Sequence, residues 1–254
     1  MSELQRLLAV IPARGGSKGL PGKNLKPFAG VPLIAHTIVF AKMCPEIDRC
    51  LVSTDSPEIA ETARRFGGEV PFLRPAELAH DATPLWPVVQ HALTWAEERE
   101  GTSYDLMVLL DPTSPARLPS DVSEAAQRLH DRPDADGVIG VSQPEFNPIW
   151  HCVVERDGWM ADWHPDGARY TRRQDVPRVY RINGSLYLWR TDFVRRQSEQ
   201  TWRVQGKHVL YEIPECRAMS IDTADEFARA EALVKAGLIR LPWMPESATC
   251  SSGT

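Results

Sequence analysis

Residues 7–24 read LLAVIPARGGSKGLPGKN, an apolar run that empties into a glycine-rich loop carrying one arginine and two lysines. Leu7 to Ile11 form a short continuous hydrophobic stretch with β-branched members, bounded by Pro12 and the glycine cluster, the pattern of a strand covered on both faces. Behind it Gly15, Gly16, Gly19 and Gly22 let the backbone turn tightly and approach other groups closely. Arg14, Lys18 and Lys23 add positive charge to the same loop. Clustered N–H donors and cations suit a polyanion, so a phosphate-rich ligand is the expected partner.

Two familiar phosphate loops fail here. A Walker A loop needs G-x-x-x-x-G-K-[ST]; counting back from Gly22-Lys23 the first glycine falls on Ser17, and Asn24 stands where Ser or Thr is required. No register gives the dinucleotide pattern G-x-G-x-x-G. The competing reading is a Gly- and Lys-rich surface turn. Position argues against it, because the loop directly follows a predicted core strand, where open α/β sheets bind ligands.

Outward from the loop the chain repeats one rhythm. Residues 32–42 carry apolar side chains at helical spacing, and 50–55 read as the next buried strand. Residues 57–66 open with Pro at a first helical position and stop at Gly67-Gly68. A short strand is predicted at 70–73, a long amphipathic helix at 85–100 and a strongly apolar strand at 106–110. Residues 120–130 read as a helix capped by Ser120, and 138–141 as a strand. Strand-like runs follow at 179–189, 208–213 and 218–221, and a last helix at 223–236 has Asp225 and Glu226 in its first turn. Strands alternating with helices of this length imply parallel pairing through right-handed crossovers, hence a doubly wound, Rossmann-like, mostly parallel α/β sheet.

One stretch breaks the rhythm. Around Asp157-Gly158 the run WHCVVERDGWMADW alternates as a β-hairpin does. Trp150, Trp159 and Trp163 lie in it, and a hairpin too small for its own core packs them on something else. Residues 146–190 are therefore read as an inserted arm for a second copy of the chain, with folding back on its own domain as the alternative. The remainder of 1–244 is expected to form one domain, and the small polar residues 245–254 a disordered tail.

Composition excludes several classes. With 254 residues and 43% hydrophobic content the chain supports one large α/β core. A net charge of −5 without a basic stripe argues against nucleic acid as the main partner. Five scattered cysteines without C-x-x-C suggest neither a disulfide framework nor a zinc site and fit a reducing cytoplasm. No signal segment and no apolar run near membrane-spanning length is present, so a soluble protein without a membrane partner is expected.

The run Ala13-Arg14-Gly15-Gly16-Ser17-Lys18-Gly19, followed by Lys23-Asn24, resembles the signature of the acylneuraminate cytidylyltransferases, the CMP-sialic acid synthetases. The resemblance extends in order over roughly residues 5–235. Ser53-Thr54-Asp55, Leu73 to Leu78 with Asp81-Ala82-Thr83, Asp111-Pro112-Thr113-Ser114-Pro115-Ala116-Arg117, Arg172-Arg173-Gln174, Arg181-Ile182-Asn183-Gly184 and Ile221-Asp222-Thr223 each match a segment of that family. It implies transfer of CMP from CTP to the anomeric hydroxyl of a nonulosonic 2-keto sugar acid, with release of pyrophosphate, Mg2+ as cofactor and a homodimer whose inserted element reaches the partner's site.

By the same resemblance Arg14, Lys18 and Lys23 hold the triphosphate and act in catalysis, with Lys23 foremost at the α-phosphate. Gly15, Gly16 and Asn24 lie beside the nucleotide, and Ser53 and Arg74 border the cytidine pocket. Arg173, Gln174 and Asn183 face the sugar, where an arginine suits a carboxylate. Asp222 is the leading magnesium ligand. The chain departs from the family twice: Ser220 replaces the first aspartate of Asp-Ile-Asp-Thr, and Asp111 replaces a glutamine. Asp111 is read either as the second magnesium ligand or as a sugar contact, with a turn aspartate before Pro112 as the third reading. The histidines form no metal or triad pattern, and no general base is identifiable. Two further readings remain: nucleotidyl transfer, guanylyl for example, to a hexose 1-phosphate, and a non-catalytic nucleotide-binding homologue.

Overall fold

A computed structural model describes residues 5–17, 19–80, 82–198 and 202–244. In chain order the first half comprises β1 (Leu7–Pro12), β2 (Pro27–Phe28), β3 (Val31–Pro32), α1 (Leu33–Lys42), β4 (Arg49–Ser53), α2 (Pro57–Arg65), α3 (Leu85–Glu100), β5 (Leu106–Leu109) and α4 (Pro119–His130). The second half comprises β6 (Gly137–Ser142), α5 (Pro148–His151), β7 (Val153–Arg156), β8 (Trp159–Asp162), β9 (Arg181–Arg190), α6 (Thr191–Arg195), α7 (Trp202–Gln205), β10 (His208–Glu212) and α8 (Ala224–Lys235).

Six strands form one sheet in the order β10-β6-β9-β5-β1-β4. β1 pairs in parallel with β4 and β5, and β10 with β6. The sheet is covered on both faces, which is why β1 is a continuous apolar run. Leu7, Ala9 and Ile11 join Ile34, Ile38, Val52 and Val122 on one side. Leu8 and Val10 join Trp86, Val89, Met107 and Trp189 on the other. Each fully buried side chain of this kind contributes about 1.5–3 kcal/mol.

β9 runs antiparallel to both of its neighbours, β5 and β6. The excursion after β6 leaves from the carboxyl edge of the parallel strands and returns at that edge, so the next strand must run the other way. The first residues of β9, Arg181 and Ile182, consequently lie beside the end of β6, while the end of β5, Leu109, faces Tyr187. The pairing register of β6 with β9 shifts between Ile139 and Val141, opposite the stretch from Asn183 to Leu186. Gly184 takes φ +74° inside that bulge.

The excursion contains the expected hairpin. β7 and β8 pair across Asp157 and Gly158, whose φ of +53° and +81° make a two-residue turn with both residues left-handed. Trp159 and Met160 at its tip are 78% and 80% exposed.

Three sequence expectations change. Residues 70–73 form no strand; one isolated bridge, Leu51↔Glu69, precedes them and another, Thr54↔Leu73, ends them, and Pro71 and Pro75 lack the N–H a ladder needs. Residues 218–221 are not a strand either, and the Ile221 N–H goes to the Thr113 carbonyl at 3.0 Å. Helix α4 begins at Pro119 rather than after Ser120, with Asp121 Oδ2 accepting the Leu118 N–H at 2.7 Å. Proline favours the first helical position, which displaces the cap by two residues. The tail, 245–254, lies outside the described residues.

Candidate functional site

The loop after β1 is pinned from both sides. The Ala13 N–H donates to the Ser53 carbonyl at 2.9 Å. The Gly15 N–H donates to Asp55 Oδ1 at 2.9 Å, just before α2. The buried Asn24 closes the loop by donating to the Arg14 carbonyl at 3.2 Å. Further along, the free N–H groups at the start of α1 take the carbonyls of Lys26 and Asn24, at 3.0 Å each, through Leu33 and Ile34. The loop is thus laid against a helix N-terminus with Arg14, Gly15, Gly16 and Lys23 on its course. Lys18 lies outside the described residues.

Lys23 meets the other end of the chain. Its ammonium lies 2.6 Å from Asp222 Oδ1, with the lysine side chain 15% exposed and the aspartate 57%. Ser220 donates to Asp222 Oδ2 at 2.8 Å. Partial burial pushes the Asp222 carboxyl up, but the hydrogen bonds and charge from Lys23, with the Ser220 bond, outweigh it and hold the group below the usual carboxylate range. The hydroxyl in place of the family's aspartate is therefore a partner of Asp222. Gly19 packs on the same turn: a Cβ there would stand 2.4 Å from the Asp222 carbonyl oxygen.

Behind the loop, Arg74 is 7% exposed and its guanidinium holds Ser53 twice, Nε to Oγ at 3.1 Å and Nη2 to the carbonyl. Burial pushes its pKa down. Asp111 is fixed by its own turn, with Oδ1 accepting the Thr113 N–H at 3.0 Å and the Thr113 hydroxyl at 2.9 Å. The loops of Asp111 and Asp222 touch through the Ile221–Thr113 bond.

Arg117 was not singled out by sequence reasoning, and it is the anchor of this edge. Its side chain is buried and donates to the carbonyls of Asp111 at 2.9 Å and Ser185 at 3.0 Å and to the Thr37 hydroxyl at 3.0 Å. Burial pushes its pKa down to about 10, which leaves it charged near neutrality. The available signal was a lone arginine inside an otherwise uncharged run after Asp111. Asp55, the last residue of the Ser53-Thr54-Asp55 motif, holds Gly15.

The remaining expected residues stand apart. Asn183 is 3% exposed and its amide is committed to the bulge, accepting from Ser185 N–H and donating to Ser142 Oγ, at 3.0 Å each. Arg173 and Gln174 sit on an exposed single turn, where Arg173 reaches the Glu145 carbonyl at 3.4 Å. Among the described residues no hydrogen bond joins either of them to the loop of Lys23. No cluster of three or more histidine, cysteine, aspartate or glutamate side chains among the described residues is arranged to hold a metal ion. No described helix is long and apolar enough to cross a membrane.

Fold and site together define an open α/β protein with a cationic glycine-rich loop at the carboxyl edge of its parallel strands. The chain matches the family model described as Cytidylyltransferase over residues 8–239. It is 32% identical over 233 residues to post-translational flagellin modification protein B of Campylobacter coli, spanning 91% of this chain and 96% of that protein. It is 37% identical over 185 residues to CMP-N,N'-diacetyllegionaminic acid synthase of Legionella pneumophila, spanning 72% and 77%. The solved structure of CMP:2-keto-3-deoxy-manno-octonic acid synthetase complexed with CTP matches with a TM-score of 0.68 at 20% identity, covering 90% of this chain and 98% of that one, a likeness of fold. The chain belongs to the cytidylyltransferase family and is an enzyme of that kind.

Proposed function

We propose that this enzyme transfers CMP from CTP to the anomeric hydroxyl of a nonulosonic 2-keto sugar acid and releases pyrophosphate. The legionaminic-type acid named for the Legionella relative is the first acceptor to test. The observation that carries the reading is the Lys23–Asp222 pair, a cation already seated against a carboxylate on a glycine-rich loop. When a triphosphate enters, the Lys23 ammonium turns from Asp222 to phosphate oxygen, and Arg14 and Lys18 neutralise the rest. In the transfer the sugar oxygen bonds to the α-phosphorus, the bond from that phosphorus to the bridging oxygen breaks, and the hydroxyl proton passes to solvent. Arg74 and Ser53 form the wall on the cytidine side, Arg173 and Gln174 belong to the sugar side, and Asn183 serves that side through the bulge it holds.

Asp222 and Asp111 would hold magnesium. A pair of carboxylates completed by phosphate oxygens fits that ion, which is seldom caged by protein alone. When bound, the ion supplies charge neutralisation at the phosphates and lowers the pKa of a coordinated hydroxyl. The exposed hairpin tip, with Trp159 and Met160, is the contact for a second copy in a homodimer, and CTP as donor places the reaction in the cytoplasm.

Pyrophosphate release is measured with each of the four nucleoside triphosphates against legionaminic, pseudaminic and N-acetylneuraminic acids and a hexose 1-phosphate, with and without magnesium. Turnover confined to CTP with a nonulosonic acid supports the proposal. Turnover only with the sugar phosphate, or with no acceptor, overturns it.

A further inference from the structure

The last described segment of the chain crosses back over the loop that carries Lys23. Ile239 and Leu241 are buried in a small apolar cluster with Leu20, Phe28, Leu33, Ile221 and Phe227, separate from the two cores of the sheet. Leu20 and Phe28 bracket Lys23, and Ile221 adjoins Asp222. Trp243 then donates its indole N–H to His36 Nδ1 at 3.0 Å, and its ring meets Phe40 edge-on.

His36 is fully buried on α1, and its Nε2 lies 2.8 Å from the Phe28 carbonyl. A carbonyl only accepts and an indole N–H only donates, so these partners assign the neutral tautomer with its proton on Nε2. The Asn24, Lys26 and Phe28 carbonyls, at alternate residues of one strip, are therefore held by the first turn of α1: by Ile34 N–H, Leu33 N–H and the His36 ring. Only the third bond comes from a side chain, and Trp243, by donating to Nδ1, secures the proton on the nitrogen that faces Phe28.

We propose that Trp243 and His36 are positioning residues for the phosphate loop. The C-terminal strap locks the His36 tautomer, the tautomer holds Phe28, and Phe28 sets where Lys23 stands against Asp222 and the nucleotide. This rests on reading residues 14–24 as the CTP cradle. A strap that merely covered apolar surface would need no directional bond into a buried ring; because the Trp243 ring packs both on the strap cluster and on the sheet core that holds Phe40, the test keeps an aromatic ring there and removes only the donor.

The test is Trp243→Phe in the full-length enzyme, which removes the donor and keeps an aromatic ring against Phe40. CTP affinity is measured by calorimetry without acceptor, then KM for CTP and kcat. Long-range 1H–15N spectra report the His36 tautomer, and hydrogen exchange reports the amides of residues 22–26. Expected are a folded variant, a mixed tautomer, faster exchange confined to that loop and CTP binding weaker by roughly two- to tenfold, the size of one hydrogen bond, with KM moving more than kcat. Leu238→Ser, at an exposed position of the same segment, is expected to bind CTP as the wild type does. A wild type that binds no CTP overturns the cradle reading and this inference with it. A variant with a lower melting temperature but wild-type tautomer, exchange and CTP affinity overturns this inference alone.

Discussion

Lys23 and Asp222 are 199 residues apart in the chain and 2.6 Å apart in space. The pair joins the loop after β1 to the turn before α8. The aspartate is more than half exposed, so solvent screens the pair and it adds little to folding. In the proposed reaction its value lies in placing a cation where phosphate arrives. Lys23→Met is expected to leave the melting temperature near that of the wild type while lowering kcat by about a hundredfold or more, the usual cost of losing one transition-state donor. Asp222→Asn is expected to shift the magnesium titration to higher concentration. A Lys23→Met variant with unchanged kcat would remove Lys23 from the chemistry.

Gly19 tests the same junction without altering a charge. A methyl group there would stand 2.4 Å from the Asp222 carbonyl oxygen, so one of the two backbones must move. Gly19→Ala is expected to part Lys23 from Asp222, with weaker CTP binding and lower turnover in a protein whose circular dichroism is unchanged. Gly22→Ala is the contrast. Gly22 takes φ +67°, where a side chain is strained, yet nothing stands within 4 Å of its added Cβ. Its penalty should appear in stability rather than at Asp222.

How much of this was legible in the sequence follows from which physics is local. The run from Leu7 to Ile11 announces a two-faced buried strand because every residue in it is apolar, and the loop announces an anion because its glycines and cations are adjacent. The direction of β9 is not local: nothing in RINGSLYLWR distinguishes parallel from antiparallel, and the return of the excursion to its starting edge decides it. Residues 70–73 are apolar enough to read as a strand, but the prolines at 71 and 75 withhold the N–H groups that a ladder needs. A charged residue in a motif suggests a ligand contact, whereas Arg117 spends its donors on two carbonyls and a hydroxyl of the protein itself. Asn183 sits in the motif for sugar contact but its amide is committed within the bulge, a commitment visible only once β6 and β9 are paired.

Arg117 makes a stability prediction. Arg117→Met would take the charged donor from the Ser185 carbonyl and the Thr37 hydroxyl and leave the Asp111 carbonyl with the Ser114 N–H alone, and hydrogen bonds from a charged donor are each worth about 1.5–3 kcal/mol. Urea denaturation should show a loss of about 3 kcal/mol or more. Arg117→Lys should recover little of it, since one ammonium lacks the planar fork that reaches three acceptors. A lysine variant of wild-type stability would refute the anchoring role.

The hairpin makes a prediction about assembly. Trp159 and Met160 are 78% and 80% exposed and Phe146 is 62% exposed, an apolar group that water disfavours. Trp159→Glu together with Met160→Lys is expected to give a monomer by light scattering, with the melting temperature of the separated chain little changed. If the doubly substituted protein and the wild type have the same mass in solution, the arm is not the contact.

Stability should fall with acid in two separate windows, because two kinds of group are displaced in the same direction for different reasons. Burial pushes the pKa of His36, His91 and His208 below the ordinary 6.5. Between the folded pKa and 6.5 the unfolded chain binds more protons than the native one, so native stability drops as pH falls through that interval and levels off beneath it. Carboxylates act lower. Glu100 is held down to about 2, first by the hydrogen bond from Arg6, against some burial, and further by Tyr104 and Arg49. Its contribution is complete above the unfolded value of 4.5 and is lost as pH falls toward 2. Urea midpoints should therefore decline once below about pH 6.5, and again below about pH 4.5. Glu100→Gln should be destabilised near neutrality, and its deficit against the wild type should shrink through the lower window only. If the deficit is the same at pH 7 and near pH 2.5, the Arg6 and Arg49 pairs are not its source.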